Sequence, residues 1–126
     1  MRRRIAMVVG VLSSVAMLAV ASPTAQADNP ACPANRFCLF EDDNFGGGRA
    51  VFAGDDSDLR NNFWQGTNRS VNNGASSMIN NRGGSVGLRS NAGSCGGDSY
   101  TANAESEDRD FTNNHFDNEA SCVQVN

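Results

Sequence analysis

Val71-Asn72-Asn73-Gly74-Ala75-Ser76-Ser77-Met78 returns forty-five positions later as Phe116-Asp117-Asn118-Glu119-Ala120-Ser121-Cys122-Val123. Both copies run apolar, two Asn or Asp, two small or variable positions, Ser, Ser or Cys, apolar. Two copies imply two similar structural units. Side-chain oxygens at this spacing suit a hard cation. Calcium takes about six to eight oxygens at about 2.3–2.6 Å from carboxylates, amides, hydroxyls and backbone carbonyls. One turn supplies part of that shell, and two turns facing each other complete it. Asn73-Gly74 equally suits a tight hairpin turn of type I′, in which both central residues take positive φ.

Outward from these turns the repeat continues. With a shift of 48, Phe40 meets Leu88, Gly48 meets Gly96, Val51 meets Ser99 and Phe52 meets Tyr100, without a gap. Leu59-Arg60-Asn61-Asn62-Phe63 echoes as Phe111-Thr112-Asn113-Asn114-His115 after about four extra residues between Asn103 and Asp110. Each unit reads as four short strands, and two units exclude a solenoid, which needs three or more. Two packed sheets are the natural solution. Alternate strand positions place the core at Leu39 or Phe40, Phe45, Val51 or Phe52, Phe63, Trp64, Val71, Met78, Val86, Leu88, Tyr100, Phe111, Phe116, Val123 and Val125. The nine aromatics argue against disorder, and no segment carries a helical stripe.

Residues 1–27 read as an export signal: Arg2 to Arg4, an apolar run from Ile5 to Ala21, and a small-x-small site at Ala25-Gln26-Ala27. What remains, 28–126, has 99 residues, seven Arg, 14 acidic residues and a formal net charge of −7. That length is one domain, expected to be a secreted, extracellular monomer. The acidic balance excludes nucleic acid, and no later apolar run is long enough to cross a membrane. The absence of Lys hints at a GC-rich, bacterial genome. Cys32, Cys38, Cys95 and Cys122 all lie in the exported part. An even number in a small secreted domain points to disulfides, and gaps of 5, 56 and 26 residues do not suit zinc. Four cysteines leave three pairings open. An enzyme is disfavoured: His115 is the single imidazole, and no Gly-x-Ser-x-Gly nucleophile motif occurs.

Phe40-Glu41-Asp42-Asp43-Asn44-Phe45-Gly46-Gly47, followed by Asn72-Asn73-Gly74-Ala75-Ser76-Ser77, resembles the βγ-crystallin Greek-key motif. The resemblance implies an all-β domain of two Greek keys, about 36–82 and 83–126, forming a β-sandwich. The second unit departs from it, with Leu88, Gly93 and Cys95 where aromatic, aromatic and Gly stand in the motif. Following that alignment, Cys95 falls on Gly47 and Cys122 on Ser77. In the family that Ser resembles a latch onto the folded hairpin, so the resemblance implies Cys95 with Cys122 and Cys32 with Cys38. It also implies weak calcium binding through side chains of Asn72, Asn73, Ser76, Asp117, Asn118 and Ser121. Backbone carbonyls of Gly74 and Glu119 would join them, with Glu41 at the hairpin edge.

The Cys32-Pro33 opening, a second Cys six residues along, and Asn68-Arg69-Ser70-Val71-Asn72-Asn73-Gly74 are similar to the streptomycete metalloproteinase-inhibitor family. That similarity implies a peptidase inhibitor acting through a rigid exposed loop on a secreted peptidase. The family's loop resembles a disulfide-closed hairpin early in the second half, near Val86 to Cys95. This chain has only Cys95 there, so Leu88-Arg89 is the inhibitory-loop candidate, with Leu88 entering an apolar pocket. The alternative is a calcium-stabilised exported domain with a structural, surface-binding or antimicrobial role and no inhibitory activity.

Overall fold

The computed structural model describes residues 28–126, and the export signal read at residues 1–27 lies outside the described residues. Among the described residues seven strands form: β1 (Phe37–Phe40), β2 (Arg49–Phe52), β3 (Ser77–Asn80), β4 (Val86–Arg89), β5 (Ser99–Ala102), β6 (Ser106–Asp108) and β7 (Cys122–Val125). They make two antiparallel sheets, ordered β2-β1-β3-β6 and β5-β4-β7. β6, from the second unit, completes the first unit's sheet. In return Asp56, from the first unit, exchanges backbone hydrogen bonds of 2.9 and 2.8 Å with Val123 of β7. Each Greek key thus hands its third segment to the other, although in the first unit that segment is a single bridge. Among the described residues no helix is long and apolar enough to cross a membrane.

The two units superpose with a register that differs from the ungapped reading. Phe40 lies opposite Arg49 and Ser77, whereas Arg89 lies opposite Ser99 and Cys122. Phe40 therefore corresponds to Arg89 and Leu39 to Leu88, and the shift of 48 was one residue short. By the same ladders Phe52 corresponds to Ala102, not Tyr100. A one-residue slip turns a side chain to the other face of its sheet, and Leu39 and Leu88 both lie in the central core at 0 % exposure. The second folded loop, 90–98, is also one residue longer than the first, 41–48.

That central core fills the space between the sheets with Phe37, Leu39, Leu59, Trp64, Met78, Leu88 and Phe111. Strand β1 is buried on both faces. Its outer face, with Cys38 and Phe40, joins Ile79 and Cys32 in a smaller cluster over which Ala31, Phe45 and Val51 pack. The disulfide Cys32–Cys38, Cα to Cα 5.8 Å, ties the amino-terminal segment over this face. Phe63 departs from expectation. It stands 54 % exposed because its neighbour Trp64, only 1 % exposed, takes the inward position. The indole sits so close to the first hairpin that a Cβ on Gly48 would lie 2.6 Å from Trp64 Cβ. Leu59, Ile79, Ala75 and Ala120 are core residues that the sequence pattern missed.

Single 3-10 turns at Leu59–Asn61 and Phe111–Asn114 begin alike in both units. Asp58 Oδ1 accepts from Arg60 N–H, and Asp110 Oδ1 from Thr112 N–H. The Arg60 guanidinium also forks onto Asp58 at 2.8 Å. Side-chain, then backbone hydrogen bonds from Arg60 hold the Asp58 carboxyl at about 2, below its ordinary 3.8. A depressed acid contributes stability above its unfolded pKa and loses it as pH falls through the folded value. Acid unfolding of the wild type should therefore steepen between about pH 4 and about pH 2 relative to Asp58→Asn, measured by circular dichroism. Parallel curves would show that Asp58 does not contribute.

Candidate functional site: two facing turns and a tethered loop

The two repeated turns face each other across the interface between units. Asn73 N–H donates to Ala120 O at 3.0 Å and Asn118 N–H to Ala75 O at 3.0 Å. Each turn closes on itself, Gly74 N–H to Val71 O at 3.0 Å and Glu119 N–H to Phe116 O at 3.3 Å. Asn73 (φ 55°) and Asn118 (φ 59°) are left-handed, while Gly74 is not among the positive-φ glycines. Positive φ at the third residue of a four-residue turn is the type II pattern. The type I′ hairpin reading of Asn73-Gly74 is therefore incorrect, because it needs positive φ at both. Asn tolerates this conformation through its short polar side chain.

The polar atoms of these turns fall into two groups. Ser121 Oγ donates to Asn73 Oδ1 at 2.8 Å and Asn118 Nδ2 to Asp117 Oδ2 at 3.2 Å. Three other oxygens are buried without a hydrogen-bond partner among the described residues: Asn72 Oδ1, Asp117 Oδ1 and Glu119 Oε2. Asn72 and Asp117 occupy the same position of the two units. Ser76, 9 % exposed, belongs to the first turn and corresponds to Ser121 of the second. Among the described residues no three His, Cys, Asp or Glu side chains converge, so the donor set is amide, hydroxyl, carbonyl and isolated carboxylate oxygen. That set suits a hard cation and not zinc. Glu41 follows Phe40, whose carbonyl accepts from Ser76 N–H at 2.9 Å, and its carboxylate engages the Arg69 guanidinium and accepts from Gly48 N–H at 3.5 Å.

The negative charge is lopsided. Asp117 and Glu119 belong to the second turn, while the first carries only neutral Asn72, Asn73, Gly74 and Ser76. Nearby Asp43 is raised from its ordinary value by desolvation first and then by the charges of Asp110, Asp117 and Asp42.

Behind each turn a latch holds the folded hairpin. In the first unit Ser77 Oγ accepts from Phe45 N–H at 3.1 Å and donates to Asp42 O at 2.6 Å. The Phe40 and Phe45 rings pack at 5.5 Å, with the Arg109 guanidinium over Phe45. In the second unit Cys122 occupies the Ser77 position and is bonded to Cys95, Cα to Cα 5.5 Å. The hairpin bonds Asp42 N–H to Gly46 O and Asn91 N–H to Gly96 O align Gly47 with Gly97, and hence Phe45 with Cys95. Backbone angles agree: Gly47 and Gly97 have φ of 66° and 80°, Phe45 and Cys95 of 61° and 53°. Cys95 thus replaces the second aromatic of the motif, not its glycine. The glycine survives as Gly97, where a Cβ would lie 2.3 Å from Ser90 Oγ. The first aromatic has become Arg89.

Leu88 is not an exposed contact. It is 0 % exposed in β4, the middle strand of its sheet, so no peptidase pocket can receive it. Arg89 is half-buried in the same strand, opposite Cys122. The exposed stretch begins after them. Asn91, Gly93, Ser94, Gly97 and Asp98 face solvent within the loop 90–98. Ser90 N–H to Asp98 O at 3.0 Å closes its base, Gly93 N–H to Ser57 O at 2.7 Å props its tip, and Cys95 tethers its middle.

The architecture is that of βγ-crystallin domains. A domain solved in work on the evolution of the eye-lens βγ-crystallin fold is 20 % identical, with TM-score 0.65 over 75 % of this chain and 89 % of that one. A βγ-crystallin from Ciona intestinalis is 26 % identical, with TM-score 0.58 over 72 % of this chain and 99 % of its own. An archaeal βγ-crystallin gives 20 % and 0.57 over 75 % and 100 %. No curated protein matches by sequence. Peptidase inhibitor family I36, the streptomycete metalloproteinase-inhibitor family, matches residues 25–96. That match takes in the amino-terminal bridge, the first Greek key and the second loop as far as Cys95, more than half of the chain, and so the protein belongs to peptidase inhibitor family I36, a family of inhibitors and not of enzymes.

Proposed function

We propose that this protein is a secreted inhibitor of a metallopeptidase, presenting the loop Ser90–Asp98 and holding calcium weakly in its paired turns. Family membership over residues 25–96 carries the inhibitory reading. The tethers at Ser57 and Cys122 support the choice of loop. A stiff loop binds without losing the conformational freedom that a flexible one must give up. The basic, apolar and small-x-small sequence of residues 1–27 supports export.

For calcium, the buried unpartnered oxygens of Asn72, Asp117 and Glu119 support the fit. Asn73, Asn118, Ser76 and Ser121, with carbonyls of Gly74 and Glu119, complete the donor inventory. When bound, calcium would supply the positively charged partner that these oxygens lack. With few carboxylates in the set, the dissociation constant should fall at about 10⁻⁵ to 10⁻³ M.

The loop itself favours a second reading. Asn91-Ala92-Gly93-Ser94 holds no large apolar side chain to fill an apolar specificity pocket. A calcium-stabilised exported domain without inhibitory activity would need none. Titrating a thermolysin-type zinc peptidase with oxidised protein from Asp28 onward separates the two. Stoichiometric loss of activity, abolished when residues 91–94 are replaced by glycines, is the expected result. Full activity at micromolar protein would reject the inhibitory reading and leave the second.

A further inference from the structure

We infer that the Cys95–Cys122 bridge is a positioning link through which the second calcium turn, Asp117 to Ser121, sets the order of the loop Ser90–Asp98. The inference rests on the reading that the turns hold calcium. Ser121 sits between the two: its hydroxyl reaches Asn73 of the facing turn at 2.8 Å, and its N–H donates to Arg89 O at 2.8 Å, at the base of the loop. The next residue, Cys122, is bonded to the middle of that loop. Asp117 and Glu119, with their unpartnered oxygens, stand just upstream.

The first unit provides an internal control. There Ser76 N–H donates to Phe40 O at 2.9 Å and Ser77 latches Phe45, the same two connections with a hydrogen bond in place of a covalent bond. Its hairpin is independently held, because Phe40 and Phe45 pack on each other beneath Arg109. The second hairpin has Arg89 and Cys95 at those positions and lacks that ring pair. Gly93 is propped on Ser57 O at 2.7 Å, but the covalent hold on the middle of the loop is Cys122, so whatever steadies the turn steadies the Cys95 side of the loop. Coupling between two sites is reciprocal in free energy. Calcium must order the loop by the same factor by which the tethered loop tightens calcium.

Amide hydrogen exchange on oxidised residues 28–126, with chelator and then with calcium, reads this directly. Calcium should slow exchange at residues 91–97 about tenfold, and Cys95→Ala/Cys122→Ala should abolish that slowing while weakening calcium about tenfold by calorimetry. Cys95→Ala/Cys122→Ser restores the hydroxyl that the first unit uses, and should recover part of both effects. If the wild type binds calcium calorimetrically but its loop exchange does not change, the link is absent and the inference is wrong. No calcium heat in the wild type rejects the calcium reading itself, and the inference with it. Equal behaviour of the Ser and Ala variants, both folded, would also overturn the positioning role, since general destabilisation would affect them alike.

Discussion

Replacing Trp64 with Ala should remove about 3–5 kcal/mol of folding stability, typical of emptying a large buried aromatic site. Trp64 is only 1 % exposed, and its ring lies against Gly74 of the first repeated turn while its Cβ crowds Gly48 of the first hairpin. The Trp64 side chain therefore ties the first hairpin to the first turn, 26 residues apart in sequence. In a domain of this size about 1 kcal/mol corresponds to about 4–8 °C in Tm, so the thermal midpoint should fall by at least about 12 °C. A loss under about 1 kcal/mol would mean that Gly48 and Gly74 are not held by the ring.

Leu88→Ala should cost about 2–5 kcal/mol and leave inhibition per folded molecule unchanged. Leu88 is sealed between β5 and β7 and touches the central core. Had it been the side chain that enters a peptidase, the opposite pattern would follow, with stability kept and inhibition lost. Denaturant unfolding paired with active-site titration of a metallopeptidase distinguishes these cases. Lost inhibition at unchanged stability would place the contact back at Leu88.

The case of Leu88 shows where sequence reading stops. The turns at Asn72 and Asp117, the echo of Leu59 to Phe63 in Phe111 to His115 and the two-unit sandwich were legible because polar and apolar positions repeat in order, whereas the 3-10 form of those echoes was not. The offset between β1 and β4 was not, because loop 90–98 carries one more residue than loop 41–48 and no aromatic marks its ends. An ungapped alignment then misassigned faces in β4, and Cys95 was set on Gly47 when it stands at Phe45. Spacing of Gly47 and Gly97 after these residues was the signal available, since both positions require a left-handed backbone. Phe63 was placed inside for a related reason: Phe63-Trp64 is an adjacent aromatic pair, and alternation permits only one of them to face the core.

The backbone pairing of the turns was also invisible in advance. Ala75 and Ala120 accept the hydrogen bonds that hold the units face to face, and an alanine carbonyl carries no chemical label in sequence.

Thermal unfolding of oxidised protein from Asp28 onward, in chelator and then in 10 mM calcium, tests the paired turns most directly. A ligand that binds only the folded form stabilises it by about 2.7 kcal/mol at about a hundred times its dissociation constant, which about 10⁻⁴ M would give at that concentration. Tm should rise by roughly 10 °C or more, a gain largely lost in Asp117→Ala. An identical Tm in chelator and calcium would contradict it, and would reduce Asn72 and Asp117 to the polar residues of two ordinary turns.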